Sequence, residues 1–424
     1  MLPSRGPSRR PSARVAALAA TAALAVAGAV LPATSASAAR VPLSPTDQVA
    51  HDKLERRSTA KRLGRDLAGV VLDAETGQRI WAHHRGERQI PASTVKLVTA
   101  VTALEAFGPD HRFTTRTATG ARPDRVVLVG SGDPSLSRRD LRRLATRTVA
   151  AVSAQGLTQV RVDVDDTLFP TPTNATGWRP GYTIADVSPV RALVVDQHRR
   201  WDTSLDAGRV FAGLLERKGL DVRRVLRRAA PAGAPTIAEV LGDDVGTQVA
   251  GMLHTSDNDV AEGLHRLVAV QTGYPATWSG AAQAQVAGLA RLGVTVAPGS
   301  LHDGSGLSRR DRLRPAEVAA VLRTAFDPAH PSLAGLRSGT LAVAGVSGTL
   351  GPSYLRYVTK PTRCAAGLIE AKTGSLSGVI ALSGLARGAD GRVKVFSFLL
   401  NRVPSTLTTR RAVDKLAATV TGCW

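Results

Sequence analysis

Cysteine, lysine and aromatic side chains are scarce in this 424-residue chain, and each scarcity removes a class of function. There are only two cysteines, Cys364 and Cys423, and neither has a second thiol or a histidine at metal-ligand spacing, so no metal site is expected there. Aromatics make up 4% of the residues and form no basic-plus-aromatic array on which bases would stack, which makes nucleic acid the least favoured of the anionic partners. Beyond the first 40 residues there is no apolar run long enough to cross a bilayer. The glycine-rich stretches are not followed by Gly-Lys-Ser/Thr, so no phosphate loop is present, and no G-x-S-x-G elbow marks a Ser-His-Asp hydrolase. Only 8 of the 55 basic residues are lysine; the other 47 are arginine.

The N-terminal segment, residues 1–38, has four arginines and no acid, then an alanine-rich apolar run, then Ala36-Ser37-Ala38. That order reads as a secretory signal. Val15 to Leu31 is at the lower limit of spanning length, and its alanines and Gly28 make it a poor permanent anchor. The remaining chain is therefore expected to be secreted or extracytoplasmic, with no transmembrane anchor after cleavage, and long enough for two or more domains. Its charge, +21 over the whole chain, suits anionic wall polymer or acidic lipid. In an exported chain the two cysteines are either a disulfide tying the C-terminus back to the body or two buried thiols, and export favours the disulfide.

Along the chain, residues 39–65 are polar and read as a surface lead-in helix. LAGVVLDAETGQRIWAHH reads as a hairpin. VVLVGSGDPSLS is a strand ending in a glycine loop, which is either a tight turn or a wall of a cleft. A helix over 138–155, the strand VRVDVDD, a proline-rich loop, and a helix from about 206 continue a small α/β region. Residues 236–269 read as helical. On one continuous helix His254 and His265 would lie ~16 Å apart, too far to share a metal ion. GLIEAKTGSLSG, VIALSGLA and RVKVFSFLLN read as strands, and a helix from Thr408 to Val420 closes the chain.

The serine-lysine spacing S-x-x-K occurs twice. Ser58 and Lys61 lie in the polar lead-in, where nothing would desolvate the lysine. Ser93 and Lys96 follow Pro91 at the first turn of a helix whose apolar face is Leu97, Val101 and Leu104. There, free N–H groups and the positive dipole end stabilise negative charge, and residues three apart share one face. Two further short patterns stand out. Ser256 and Asn258 present a hydroxyl and an amide two residues apart, and Lys372-Thr373-Gly374 lies on a strand where Gly374 would let a ligand backbone lie alongside. The motif positions hold two of the eight lysines; a desolvated lysine can act as a base, whereas arginine cannot.

S-x-x-K, S-x-N and K-T-G in this order form the pattern of penicillin-binding proteins and class A β-lactamases. The chain resembles the class C, low-molecular-mass penicillin-binding proteins, the D-alanyl-D-alanine carboxypeptidase/endopeptidase family of serine acyltransferases. LVGSGDPSL, GWRPGYTIADVSPVRALVVD, MLHTSDNDVAEGL, DGSGLSRRDRLRP and AGVSGTL resemble blocks of that family in its order, and the match covers nearly all of residues 65–420. The resemblance implies an α/β (α+β) fold: a penicillin-binding transpeptidase-like domain over 39–115 and 236–424, with a central antiparallel sheet flanked by helices. An inserted smaller α/β domain, 116–235, would interrupt it. That insertion looks reduced relative to longer family members, because Gln197 to Asp206 passes almost directly to a helix. Ser347 stands where the family often has aspartate.

The resemblance also implies roles. Ser93 would be the nucleophile, Lys96 its base, and Ser256 a relay to the leaving amine. Asn258 would hold Lys96 and the acyl-chain amide. The backbone N–H groups of Ser93 and Ser375 would form the oxyanion hole. Lys372, expected to be positive, would recognise the substrate's terminal carboxylate with Thr373 and Ser375, and Gly374 would permit close approach. The substrate would be a peptidoglycan stem peptide, with β-lactams as covalent inhibitors and neither cofactor nor metal. Two other readings remain open, a non-catalytic wall-binding protein and a β-lactamase-like hydrolase, although no convincing Glu-x-x-x-Asn loop lies between the first two motifs to supply the deacylating base the latter needs.

Overall fold

Alternation of apolar residues organises the larger of two sheets. The computed structural model describes residues 42–424, so the expected signal over 1–38 lies outside the described residues. In chain order the elements are α1 (Pro45–Ser58), β1 (Asp66–Asp73), β2 (Arg79–His83), α2 (Lys96–Phe107), β3 (Arg112–Thr119), β4 (Arg125–Val129), α3 (Arg138–Ser153), β5 (Gln159–Asp165), α4 (Tyr182–Ala185), α5 (Thr203–Glu216), β6 (Asp221–Arg227) and β7 (Thr236–Asp244). There follow α6 (Val245–Thr255), α7 (Asn258–Gln271), α8 (Trp278–Arg291), α9 (Pro315–Arg323), β8 (Ala342–Val343), β9 (Ile369–Leu376), β10 (Val379–Arg387), β11 (Val393–Asn401) and α10 (Leu407–Val420).

The six-stranded sheet has the order β2-β1-β11-β10-β9-β8 and every pairing in it is antiparallel, which is the central sheet expected. Successive side chains point to opposite faces. Leu67, Val71, Ile380, Leu382, Phe396 and Phe398 therefore meet Leu54 of α1 and Val413 and Leu416 of α10. Val70, Leu385 and Val395 belong to the other layer, with Leu97 and Val101 of α2 and the apolar sides of α6 to α9. β10 is buried along almost its whole length, which explains its uninterrupted apolar sequence.

The second sheet, β6-β5-β4-β3-β7, is mixed. β4, β5 and β6 run parallel and are joined through α3 and α5, whose Leu141, Leu144, Phe211 and Leu215 cover one core. Here a sequence reading is corrected: residues 236–244 are a strand, not the start of a helix. In TIAEVLGDD the buried residues are Ala238, Val240 and Gly242, a period of two rather than 3.6. Pairing of β7 with β3 carries this sheet from Arg112 to Asp244, beyond the expected 116–235 at both ends. The passage from Val195 into α5 is short, as expected, with left-handed backbone at Asp196 and Gln197.

Candidate active site

Ser93 sits on a turn clamped between two glycines. Ala92 has φ +47°, a left-handed conformation that costs a residue with a Cβ roughly 1–3 kcal/mol. It opens a single 3₁₀ turn, Ala92–Val95, that runs into α2. A Cβ on Gly306, itself at φ +80°, would stand 2.0 Å from the Ala92 carbonyl oxygen. On the other side, a Cβ on Gly374 would come within 3.0 Å of the Pro91 carbonyl oxygen and 3.2 Å of the Ala92 side chain. The missing side chain of Gly374 thus makes room for the turn that carries Ser93, where the sequence had suggested room for a ligand backbone.

Lys96 is fully buried, and its Nζ meets three oxygens. It donates to Asn258 Oδ1 at 2.7 Å, to the Ser305 carbonyl at 2.7 Å, and to Ser93 Oγ at 3.2 Å. Burial lowers its pKa to about 8 from the usual 10.5, while the carboxylates of Glu262, Asp303, Asp257 and Asp259 oppose the fall. A neutral amine has two N–H groups and one lone pair. The two short bonds to carbonyl oxygens use both N–H groups, and the lone pair is left facing Ser93 Oγ.

Asn258 and Glu262 are four residues apart on α7 and share a face. Asn258 Nδ2 donates one of its two N–H groups to the Asp186 carbonyl at 2.9 Å, which ties the amide to the 182–187 segment. Glu262 accepts the N–H groups of Gly304 (3.0 Å) and Ser305 (2.8 Å), which fixes the loop whose Ser305 carbonyl holds Lys96. Thr99, one turn along α2, donates to the Gly304 carbonyl at 2.7 Å. Glu262 is fully buried, and burial beside Asp303 pushes its carboxyl up to about 8. Asp303 accepts from Trp178 Nε1 (2.7 Å), Gly306 N (2.8 Å) and Ser308 N (2.6 Å), tying this loop to the 178–187 stretch. Asp311, also buried, is raised well above the carboxylate range by burial and by Asp303.

Lys372 is fully buried, with its Nζ donating to the Thr373 carbonyl at 2.9 Å. Burial first and the charge of Lys96 second push its pKa well below the ordinary lysine value. Among the described residues this carbonyl is the hydrogen-bond partner of Lys372, against three acceptors at Lys96. Strand alternation gives Lys372 and Gly374 the parity opposite to Ile369 and Ala371, which face α1 and α10. Thr373 is half-buried and donates to Thr349 Oγ1 at 2.9 Å, and Ser375 is exposed. Ser256 occupies the joint between α6 and α7 in the left-handed region (φ +67°), half-buried, with Asp257 capping α7 through Val260 N at 2.9 Å.

The second serine-lysine pair stays apart from this cluster. Ser58 Oγ donates to the Glu55 carbonyl at the end of α1 and Lys61 is exposed. The helix expected to carry both histidines breaks at Ser256, and His265 is buried, with burial lowering its pKa to about 3. The GSGDPSL stretch is a turn held by Asp133, which accepts from Ser135 N at 2.9 Å and Ser135 Oγ at 2.7 Å. Ser347 Oγ accepts from Val343 N at 3.4 Å. Cys364 and Cys423 are disulfide-bonded with Cα atoms 5.8 Å apart. Sequence reasoning missed Ser305, Gly306, Glu262 and Asp303. The available signal for Glu262 was a carboxylate one turn after Asn258 on the same helix face; a role played by the Ser305 backbone carbonyl leaves no mark in residue type.

Comparison with known proteins fits this geometry. The chain is 35% identical over 379 residues to a carboxypeptidase of Mycobacterium tuberculosis, covering 84% of this chain and 80% of that one. It is 34% identical over 426 residues to Carboxypeptidase DacB of Mycolicibacterium smegmatis, covering 94% and 91%. The fold matches the crystal structure of penicillin binding protein 4 from Haemophilus influenzae with a TM-score of 0.73 at 20% identity, over 87% of this chain and 98% of that one. The sequence profile of the D-Ala-D-Ala carboxypeptidase 3 (S13) family matches residues 50–201 and 197–420, and the chain belongs to that family.

Proposed function

We propose that Ser93 is the nucleophile by which this penicillin-binding D-Ala-D-Ala carboxypeptidase cleaves peptidoglycan stem peptides. The observation that carries the assignment is Lys96 Nζ 3.2 Å from Ser93 Oγ, with Asn258 Oδ1 and the Ser305 carbonyl each at 2.7 Å to take the two hydrogens of the neutral amine. As Ser93 Oγ attacks the carbonyl between the two D-alanines, its proton passes to Lys96 Nζ. The C–N bond then breaks and the terminal D-alanine leaves with a proton delivered by way of Ser256. Water hydrolyses the acyl ester and restores Ser93, whereas a β-lactam leaves a long-lived ester. The N–H groups of Ser93 and Ser375 are the oxyanion donors in this scheme.

The two buried amines couple binding to chemistry. A substrate carboxylate arriving at Lys372, with Thr373 and Ser375, favours a charge there, and a charged Lys372 disfavours one on Lys96. Substrate entry therefore moves the proton balance toward a neutral base beside Ser93. We place the enzyme outside the cytoplasm, on the strength of the N-terminal charge and apolar pattern and the absence, among the described residues, of a helix long and apolar enough to cross a membrane. The charge balance supports a hold on anionic wall polymer. We take the limits of the inserted unit from its sheet, 112–244.

Intact mass after incubation with benzylpenicillin tests the assignment. A persistent adduct on the wild type and on Ser58→Ala, lost in Ser93→Ala, is the expected result. No adduct on folded wild type would favour a non-catalytic wall binder, and rapid release of the adduct would favour a β-lactamase.

A further inference from the structure

On the α1/α10 side of the six-stranded sheet, away from the layer that carries Ser93, lies a cavity of about 520 Å³. Six of its lining side chains are cationic: Arg56, Arg57, Arg62, Lys360, Arg411 and Lys415. No carboxylate lines it, and among the described residues none of the six forms an ion pair. Elsewhere some arginines that close on the body have acidic partners, such as Arg125 with Asp163 and Arg392 with Asp73, while others, such as Arg323 and Arg337, bond to backbone carbonyls. Asp414, on the helix that forms one wall, is buried and hydrogen-bonded to Arg356; of the six cations, Arg411 is near enough for its charge to act on that carboxyl. Arg57 donates to Thr419 Oγ1 and the Cys423 carbonyl, and Arg411 to the Leu355 carbonyl, all neutral partners.

Arg56 and Arg57 stand in the last turn of α1, where a cation complements the helix dipole. Arg62, Lys360, Arg411 and Lys415 have no such counterpart, and all four are exposed at the cavity. Leu63, Pro361, Ala412 and Leu416 give the same cavity an apolar lining. The disulfide from Cys364 to Cys423 joins the Lys360–Pro361 wall to the end of α10, so the two sides are covalently held together.

We infer that this cavity is a binding site for a phosphodiester-linked polyol or sugar polymer. Arginine and lysine are the side chains that recognise phosphate, and unpaired cations facing one concavity are relieved by an anion. The volume lies within the range of small-molecule sites, roughly 300–1,000 Å³, and exceeds what one phosphate needs, which favours consecutive repeat units. The apolar lining suits the C–H faces of a polyol. A flat anionic bilayer would be met by cations on a protruding surface, whereas these line a recess. Because the sheet separates the cavity from Ser93, the polymer would hold the enzyme without blocking its cleft. The inference rests on this cavity and not on the catalytic assignment.

The test is a titration of the purified protein with a labelled poly(glycerol phosphate) oligomer. Combined Arg62→Gln, Lys360→Gln, Arg411→Gln and Lys415→Gln should weaken binding about tenfold or more, the scale on which several phosphate contacts act together. The charge-matched set Arg139→Gln, Arg142→Gln, Arg223→Gln and Arg224→Gln, exposed on the second sheet's side, should change it less than about twofold. Hydrolysis of a soluble D-Ala-D-Ala peptide and the thermal midpoint should be the same in all three proteins. If the quadruple variant loses its fold, Lys360→Gln with Lys415→Gln should still weaken binding roughly threefold. Equal loss in the two sets would reduce the effect to diffuse charge and overturn the site. So would absence of oligomer binding, or cavity-dependent binding confined to phosphatidylglycerol vesicles.

Discussion

Ser58 and Lys61 share their spacing with Ser93 and Lys96, and the two regions show what the spacing alone is worth. Around the first pair the helix is polar, Ser58 Oγ is occupied by the Glu55 carbonyl, and Lys61 lies in water. Around the second, every residue from Lys96 to Leu104 is buried, and three elements distant in sequence bring their oxygens or backbone to the motif. A lysine becomes a usable base near neutral pH only where solvent is removed and its hydrogens are already taken. The environment, not the motif, makes the difference.

Removing the serines should separate the pairs most widely. Ser93→Ala should lose the penicilloyl adduct and at least ~10³-fold in peptide hydrolysis, while Ser58→Ala keeps both. Exchange of the lysines comes next: Lys96→Arg should slow acylation by roughly 10²-fold or more, since a guanidinium remains protonated, and Lys61→Arg should leave the rate unchanged. Gly306→Ala should lower the penicillin acylation rate by about 10²-fold, because a Cβ 2.0 Å from the Ala92 carbonyl must displace the turn that presents Ser93.

The acylation rate of the wild type should rise with pH through about 8, by close to tenfold per unit well below that value, as Lys96 loses its proton. The matching stability effect has a fixed sign. The folded-state pKa lies below the unfolded value of 10.5, so the burial penalty is fully present below about 8 and is relieved as pH rises from there toward 10.5. Glu262→Gln should have a smaller effect, lowering the midpoint of that profile only to the extent that Glu262, itself pushed up to about 8, is ionised near that pH and favours protonated Lys96. At the bottom of the range, Ser58→Ala should cost about 1 kcal/mol of stability, measured by denaturant unfolding, since it deletes one local hydrogen bond of a buried hydroxyl.

Much of this site was legible because its side-chain chemistry sits in short motifs. Ser93, Lys96, Asn258 and Lys372 could be named from spacing, and the order of C-terminal strands followed from apolar runs bounded by turns. The rest depends on contacts across long stretches of chain. Ser305 contributes a carbonyl that any residue could supply. Gly374 looked like an opening for a ligand because the turn at Pro91 that fills it comes from nearly 300 residues away. β7 was read as helix because its alternation is shallow and it runs straight into α6, with only Asp244 as a boundary. The charge of Lys96 depends on buried carboxylates from α7 and the 303–311 loop, which no local window contains.

The two glycines that clamp the Ser93 turn also bear on how this enzyme could evolve away from inhibition. Any side chain at position 306 meets the Ala92 backbone, and one at 374 crowds Pro91 and Ala92, so mutation cannot move the nucleophile by small steps from either side. Drug escape that preserves turnover would have to be gained elsewhere along the cleft, away from both glycines. Selection under β-lactam should accordingly scatter substitutions along the cleft and leave 306 and 374 unchanged.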